Sequence, residues 1–242
     1  MTPLLDANGL SVSGRLQSTD LQAAGGSLTA LIGPNGSGKT SLLRALAGIE
    51  RTGGSVRISG EELASASPGR RRQLLAFLPA GRELVWPIAA RDVIALGLER
   101  PDPDRVAAII AALELEALAD RPADQLSTGE RARVLTGRAL AQQPAALLLD
   151  EPLSNLDPYW SLRMLAMFRA ATAAGAAAVI ALHDLSLLSL FDRAILMAEG
   201  GIVADARPDA VLADASFEQV FRVRAAGRGW ELSPPARPRS SR

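Results

Sequence analysis

Eight residues, GPNGSGKT at 33–40, concentrate the chemistry of this chain. Among them is Lys39, the single lysine in a total of 26 lysines and arginines. The stretch fits G-x-x-x-x-G-K-[S/T] from Gly33 to Thr40. Glycines at 33, 36 and 38 allow positive φ angles, so several backbone N–H groups can turn inward on a phosphate with no Cβ in the way. A helix starting near Lys39 adds its positive end at the same spot. The compact ammonium of Lys39 then reaches the β- and γ-phosphate oxygens as a point charge, an attraction of about 4 kcal/mol at ~4 Å and an effective dielectric of roughly 20. Arginine's wide planar fork does not fit such a loop, so one lysine persists in a chain that otherwise uses arginine. The candidate cradle is Gly33, Pro34, Asn35, Gly36, Ser37, Gly38, Lys39, Thr40 and Ser41, with the Thr40 hydroxyl as a magnesium ligand.

Three further constellations carry chemistry. In AALLLDEP (145–152) a hydrophobic run ends in two adjacent carboxylates, which puts Asp150 and Glu151 where an open parallel sheet presents its ligand crevice. Asp150 is then a magnesium-shell residue and Glu151 the group that polarises an attacking water, a step worth roughly 10²- to 10⁴-fold in rate. Taken alone, such a pair also reads as a solvated turn. In QLSTGE (125–130), Ser127 opens a helix that ends before Pro144, so Ser127 and Gly129 lie at a helix N-terminus with unpaired N–H groups, a second anion site. The competing reading is a serine cap with Glu130 closing a capping box. His183, the sole histidine, follows the apolar run 176–182 and reads either as a structural side chain or as a donor to a γ-phosphate oxygen from the same sheet edge.

The elements that must position these residues are legible as periodicity. SLTALIG (27–33) reads as a strand, and TSLLRALAGI (40–49) has helical spacing of Leu42, Leu43, Leu46 and Ile49. GSVRISG (54–60), LLAFLP (74–79), AALLLDEP and AAAVIALHD (176–184) are further strands, and AILMAEGGIVADA (194–206) reads as a hairpin about Glu199-Gly200-Gly201. The 3.6-residue period of IAARDVIALGL and DRVAAIIAALELEALA, broken by PDPD, predicts a mainly helical insert over 82–143. The tail 233–242, SPPARPRSSR, has the composition of a disordered segment.

Charge is balanced at 26 basic and 26 acidic residues, which gives no long-range attraction to nucleic acid or anionic lipid. No apolar run reaches the 18–20 residues of a membrane span; the alanine-rich segment from Ala170 to Leu182 is too short and is interrupted. The absence of cysteine excludes disulfides and thiolate metal sites, and the N-terminus lacks a secretory leader pattern, so a cytoplasmic location is expected.

In order, GPNGSGKT, LSTGE (126–130), LLLDEP (147–152), SNLD (154–157) and the strand-end His183 resemble the ATP-binding subunits of ABC transporters, over about residues 5–230. The resemblance implies an α/β P-loop NTPase over 1–232, with a mainly parallel core sheet, an N-terminal antiparallel β portion and a helical subdomain at about 82–143. It implies ATP and magnesium as ligands and a head-to-tail homodimer in which ATP lies between the lysine loop of one copy and the Ser127–Gly129 helix start of the other. Asp157 would sit in the loop through which the two sites communicate. It further implies permease subunits in the membrane, a substrate-binding protein as an indirect partner, and a peripheral position on the membrane's inner face. LLAFLPAGRELVWPIAARDVIALGLERP (74–101) and FEQVFRVRAAGRGWEL (217–232) are similar, more narrowly, to importer ATPases for iron-siderophore, haem or cobalamin.

Three departures stand out. Related chains carry glutamine where this one has Ala80, which offers neither donor nor acceptor. The signature reads LSTGE in place of LSGGQ. The stretch LSVSGRLQSTD has no Tyr or Phe to stack on adenine. Besides a transport-coupled ATPase, two readings follow: a nucleotide-binding regulatory subunit with weak hydrolysis, and a non-transport ABC ATPase acting on DNA or the ribosome. Zero net charge and the lack of a second ATPase unit weigh against the last. A GTPase would need a second lysine in its guanine-reading motif.

Overall fold

The computed structural model describes residues 3–81, 84, 86–226 and 229–232. The tail expected to be disordered lies outside them. Along the chain, β1 (Leu5–Val12), β2 (Leu16–Ala23) and β3 (Leu28–Ile32) precede α1 (Lys39–Leu46). Then come β4 (Gly53–Ile58), β5 (Glu61–Glu62), α2 (Pro68–Leu74) and β6 (Leu75–Leu78). Next are α3 (Ala90–Ala95), α4 (Pro103–Ala112), α5 (Thr128–Ala141), β7 (Ala146–Asp150), α6 (Pro158–Ala173) and β8 (Ala177–Ala181). The hairpin β9 (Arg193–Ala198) and β10 (Gly201–Ala206) leads to α7 (Pro208–Ala213), α8 (Ala215–Phe221) and the pair β11 (Val223–Ala226) and β12 (Gly229–Leu232).

The core sheet has the order β10-β9-β3-β8-β7-β6, parallel throughout except for β10, which runs antiparallel along the edge. β3, β7 and β8 are buried at every position, as strands covered on both faces must be, and this is why each reads as an unbroken apolar run. Alternate residues feed two cores. Leu31, Leu148, Val179 and Ile195 pack with Leu42, Leu43 and Leu46 of α1 and with the second, antiparallel sheet β2-β1-β4-β5. Ile32, Leu149, Ile180 and Leu196 point the other way, toward Phe168 of α6 and the helices between β6 and β7.

The helical run DRVAAIIAALELEALA is shorter than its periodicity predicts. α4 stops at Ala112, Glu114 takes a left-handed φ of 51°, and a separate 3₁₀ turn follows at Glu116–Leu118. The break lets Leu113, Leu115 and Leu118 all be buried. The start of α4 matches expectation, with the Asp102 carboxylate accepting from the Arg105 N–H at 2.9 Å and Pro103 in the first turn. α6 is not legible as a separate element by pattern; its alanine-rich end runs into β8, and only Gly175 at φ 108° separates them.

α3 approaches α5 through Gly97. A Cβ there would stand 2.1 Å from the Arg138 carbonyl oxygen and 3.0 Å from the Ala141 side chain. Gly97→Ala is therefore expected to destabilise the protein by about 1–3 kcal/mol, the range for overpacking. The urea midpoint should fall with no change in the slope of the transition, and an unshifted midpoint would show that α3 is free to move off α5.

Candidate active site

Parallel pairing brings the candidate residues together. Leu31 on β3 and Asp150 on β7 both pair with Ala181 on β8, so the three strand ends lie in one row. The loop from Gly33, the pair Asp150-Glu151 and His183 consequently leave the sheet at the same edge. Leu78 of β6 pairs with Leu149, so Ala80, two residues on, is level with Glu151; it is exposed and brings no polar group to that position.

The loop and α1 form one wall of a cleft of about 590 Å³ that takes in Asn35 to Ser41, Glu151, the β1–β2 turn and the β9–β10 turn. Gly33, Gly36 and Gly38 have φ of 154°, 80° and 101°. A Cβ at Gly33 would meet the Met197 carbonyl oxygen at 2.4 Å and the Ser37 hydroxyl at 2.6 Å, so glycine is required there by space as well as by backbone angle. Lys39 is almost fully buried, and its ammonium donates to the Gly33 and Pro34 carbonyls at 2.7 and 3.1 Å. Burial pushes its pKa down, against the pull of Glu151 and Asp150.

Asp150 is 1 % exposed, and its Oδ1 is buried without a hydrogen-bond partner. Burial raises its pKa most, the neighbouring Glu151 raises it further, and the Thr40 hydroxyl, Lys39 and His183 pull the other way. Beside it the His183 Nε2 and Glu151 Oε1 are 2.6 Å apart. Glu151 itself sits at φ 53°, a left-handed turn that swings its side chain off the strand line into the cleft.

Ser127 and Gly129 are not among the residues lining this cleft, and neither is Asp157. Ser127 caps α5: its Oγ accepts from the Glu130 N–H at 3.3 Å and its own N–H donates to Glu130 Oε2 at 2.8 Å, the complete capping box. A hydroxyl that accepts keeps its proton, so the cap leaves Ser127 able to donate to an anion. Asp157 caps α6 through the Trp160 N–H at 2.9 Å, and Arg133 of α5 lies 4.1 Å over the Trp160 ring, tying the two helix starts together.

Six cleft residues have no counterpart among the motifs: Gly14 to Gln17 at the β1–β2 turn, and Glu199 and Gly200. The Gln17 N–H donates to the Gly200 carbonyl at 2.8 Å, its side-chain amide donates to the Glu199 carbonyl at 2.9 Å, and the Gly200 N–H donates to the Ser37 carbonyl at 3.0 Å. The one signal for them is the expected turn at Glu199-Gly200; contact between that turn and the β1–β2 turn cannot be read from positions so far apart in sequence.

The ABC transporter family pattern matches residues 16–154. The hemin import ATP-binding protein HmuV of Rhizobium leguminosarum is 35% identical over 241 residues, with 91% of each chain covered. The chain belongs to the ABC transporter family. Two solved structures share its fold. An ATP-binding subunit of an ABC transporter superposes with TM-score 0.80 at 21% identity, covering 90% of this chain and 98% of that one. The dimeric ATP-binding cassette MJ0796, bound to ADP and Pi, superposes with TM-score 0.75 at 21% identity, covering 84% and 98%. As an ABC ATPase, the chain has the expected mixed sheet, with its antiparallel sheet and its helices.

The buried charges give a signed expectation. A raised pKa means that the folded state binds the Asp150 proton more tightly than the unfolded chain does. This group therefore costs stability at neutral pH, and the cost is relieved as pH falls through its native value. Asp150→Asn should accordingly raise the melting temperature of the nucleotide-free protein by about 2–4 °C, roughly 1 kcal/mol, at pH 7.5. The gap should narrow on acidification. A variant that melts lower at pH 7.5 would mean that the ionised carboxylate stabilises the fold.

Proposed function

We propose that this ABC ATPase binds the triphosphate of ATP in the 33–41 loop and hydrolyses it with Glu151 as general base, energising a membrane importer for haem. The observation that carries the chemistry is the 2.6 Å contact between His183 and Glu151 at the end of the cleft that holds Lys39 and Thr40. In this reading the Glu151 carboxylate takes a proton from water as its oxygen bonds to the γ-phosphorus and the bond to the bridging oxygen of ADP breaks. His183, with its proton on Nε2, orients that carboxylate. Lys39 exchanges the Gly33 and Pro34 carbonyls for phosphate oxygens, which a desolvated ammonium holds more strongly than water would.

The residues also suit magnesium. Thr40 interacts with Asp150, whose Oδ1 is buried and unpartnered, and both are hard oxygen donors. Among the described residues no group of three His, Cys, Asp or Glu side chains could hold a metal, so the remaining ligands would be phosphate oxygens and water, the usual arrangement for this ion. Bound there, magnesium would neutralise the charge spreading over the phosphate oxygens. These contacts favour turnover over the regulatory reading with weak hydrolysis.

Ser127, Gly129 and Asp157 stand outside the cleft, so a second copy, placed head to tail, is the natural source of the donors that cover the γ-phosphate. The dimeric form of the similar cassette MJ0796 supports this arrangement. Import of haem is supported by relatives named as hemin import ATP-binding proteins at 35% and 38% identity. Among the described residues no helix is long and apolar enough to cross a membrane, so the work would pass to permease subunits at the inner face. Trp86, Ile88 and Leu96, exposed apolar side chains flanking α3, offer such a partner a surface. A substrate-binding protein would deliver haem from the far side.

Proteoliposomes holding the protein with its permease subunits test both halves. The wild type should take up haem with ATP, whereas Glu151→Gln should keep its ATP affinity and lose turnover and uptake by about 10²- to 10⁴-fold. Unimpaired hydrolysis in Glu151→Gln would remove Glu151 as the base, and wild-type hydrolysis without haem uptake would remove the cargo assignment.

A further inference from the structure

A second cavity, of about 650 Å³, lies at the opposite edge of the core sheet from the nucleotide cleft. It is lined by Ala145 and Ala176, the residues that lead into β7 and β8, whereas the nucleotide cleft stands at the other ends of these strands. Each strand has five residues, so the two sites are separated by roughly 16 Å of sheet. The walls are apolar: Ile109 of α4, Leu140 of α5, and Met167 and Ala171 of α6. The polar side chains on the lining are those of Arg105 and Gln143. Both stand at the end of α5. Arg105, half-buried on α4, donates from Nε to the Ala141 carbonyl at 3.3 Å and from Nη2 to the Leu140 carbonyl at 3.2 Å, and Gln143 follows two residues beyond Ala141.

Capping the last carbonyls of a helix uses one edge of the guanidinium. Among the described residues Arg105 makes no ion pair, and its Nη1 makes no hydrogen bond. The Asp102 carboxylate, three residues earlier, accepts from the Arg105 backbone N–H instead. A single cation without an anionic partner, at the polar end of an apolar cavity of ligand size, matches a molecule with one negative charge and a hydrocarbon body. We propose that this cavity is a binding site for a free aliphatic monocarboxylate, whose chain lies between α4 and α6 and whose carboxylate accepts from Arg105, with the Gln143 amide as a second donor. Such a ligand would bridge the helices that precede β7 to α6, on the far side of the sheet from ATP.

Titration calorimetry of the full chain with decanoate and with decanol, its neutral counterpart, separates the charge from the cavity. The wild type should bind decanoate about tenfold or more tighter than decanol, the scale of a charge-assisted hydrogen bond. Arg105→Gln should abolish that preference, and Arg105→Lys, which keeps the charge and can still cap α5, should retain it. Ala108→Phe places a ring on the cavity wall away from the charge and should weaken both ligands by about tenfold or more. This variant leaves the Arg105 cap intact, so it tests the cavity even where Arg105→Gln fails to fold. Equal binding of the two ligands by the wild type, binding of neither, or decanoate affinity unchanged in Ala108→Phe would each overturn the assignment. So would a preference that survives Arg105→Gln or is lost in Arg105→Lys.

Discussion

Two opposite charges are buried at the carboxyl edge of the core sheet, and the monomer does not complete them. Lys39 is nearly sealed from water and spends its protons on two backbone carbonyls; Asp150 is fully buried with one oxygen unpartnered. Each is pushed by burial toward its neutral form, and each pulls the other back. A buried charge without full partners is expensive in a folded protein, and such sites are where ligand binding recovers the difference. In the proposed reading, a triphosphate with its cation would supply the missing partners in one event, giving anionic oxygens to Lys39 and positive charge to Asp150.

The rest of the fold holds that pair in place. Strict parallel register levels the ends of β3, β8 and β7, and so fixes the lysine loop, the carboxylates and His183 relative to one another through the backbone alone. Side-chain hydrogen bonds then matter at few points. The loop is braced from outside by the Gly200 N–H on the Ser37 carbonyl and by Gln17 on the 199–200 turn, which couples the antiparallel sheet to the site. The helices between β6 and β7 serve another purpose, presenting Ser127 on a capped helix start that stands outside the monomer's own cleft.

Much of this was legible in the sequence because it is local. The glycines of the loop, the apolar runs of β3, β7 and β8, and the capping box at Ser127 and Glu130 depend on residues within a few positions of one another. What escaped is decided elsewhere. α6 has its alanines continuous with β8, and only the left-handed Gly175 marks the boundary. β1 carries a bulge near Gly9 that breaks its alternation. The bracing of the lysine loop by Gln17 and the 199–200 turn gives no signal either, since it is supplied by tertiary packing. Ala80, where the resemblance leads one to expect glutamine, stands level with Glu151 and brings no polar group to that place.

On the proposed reading, a cleft lined by Lys39, Thr40 and Glu151 but not by Ser127 is half of a site. Two copies closing head to tail would make the other half, each capped serine donating to the γ-phosphate held by its partner. Sedimentation velocity on Glu151→Gln, with and without magnesium and ATP, tests this most directly. The expected result is a monomer that becomes a dimer when saturated with nucleotide and reverts when magnesium is chelated; a species that stays monomeric at saturation would contradict the shared site.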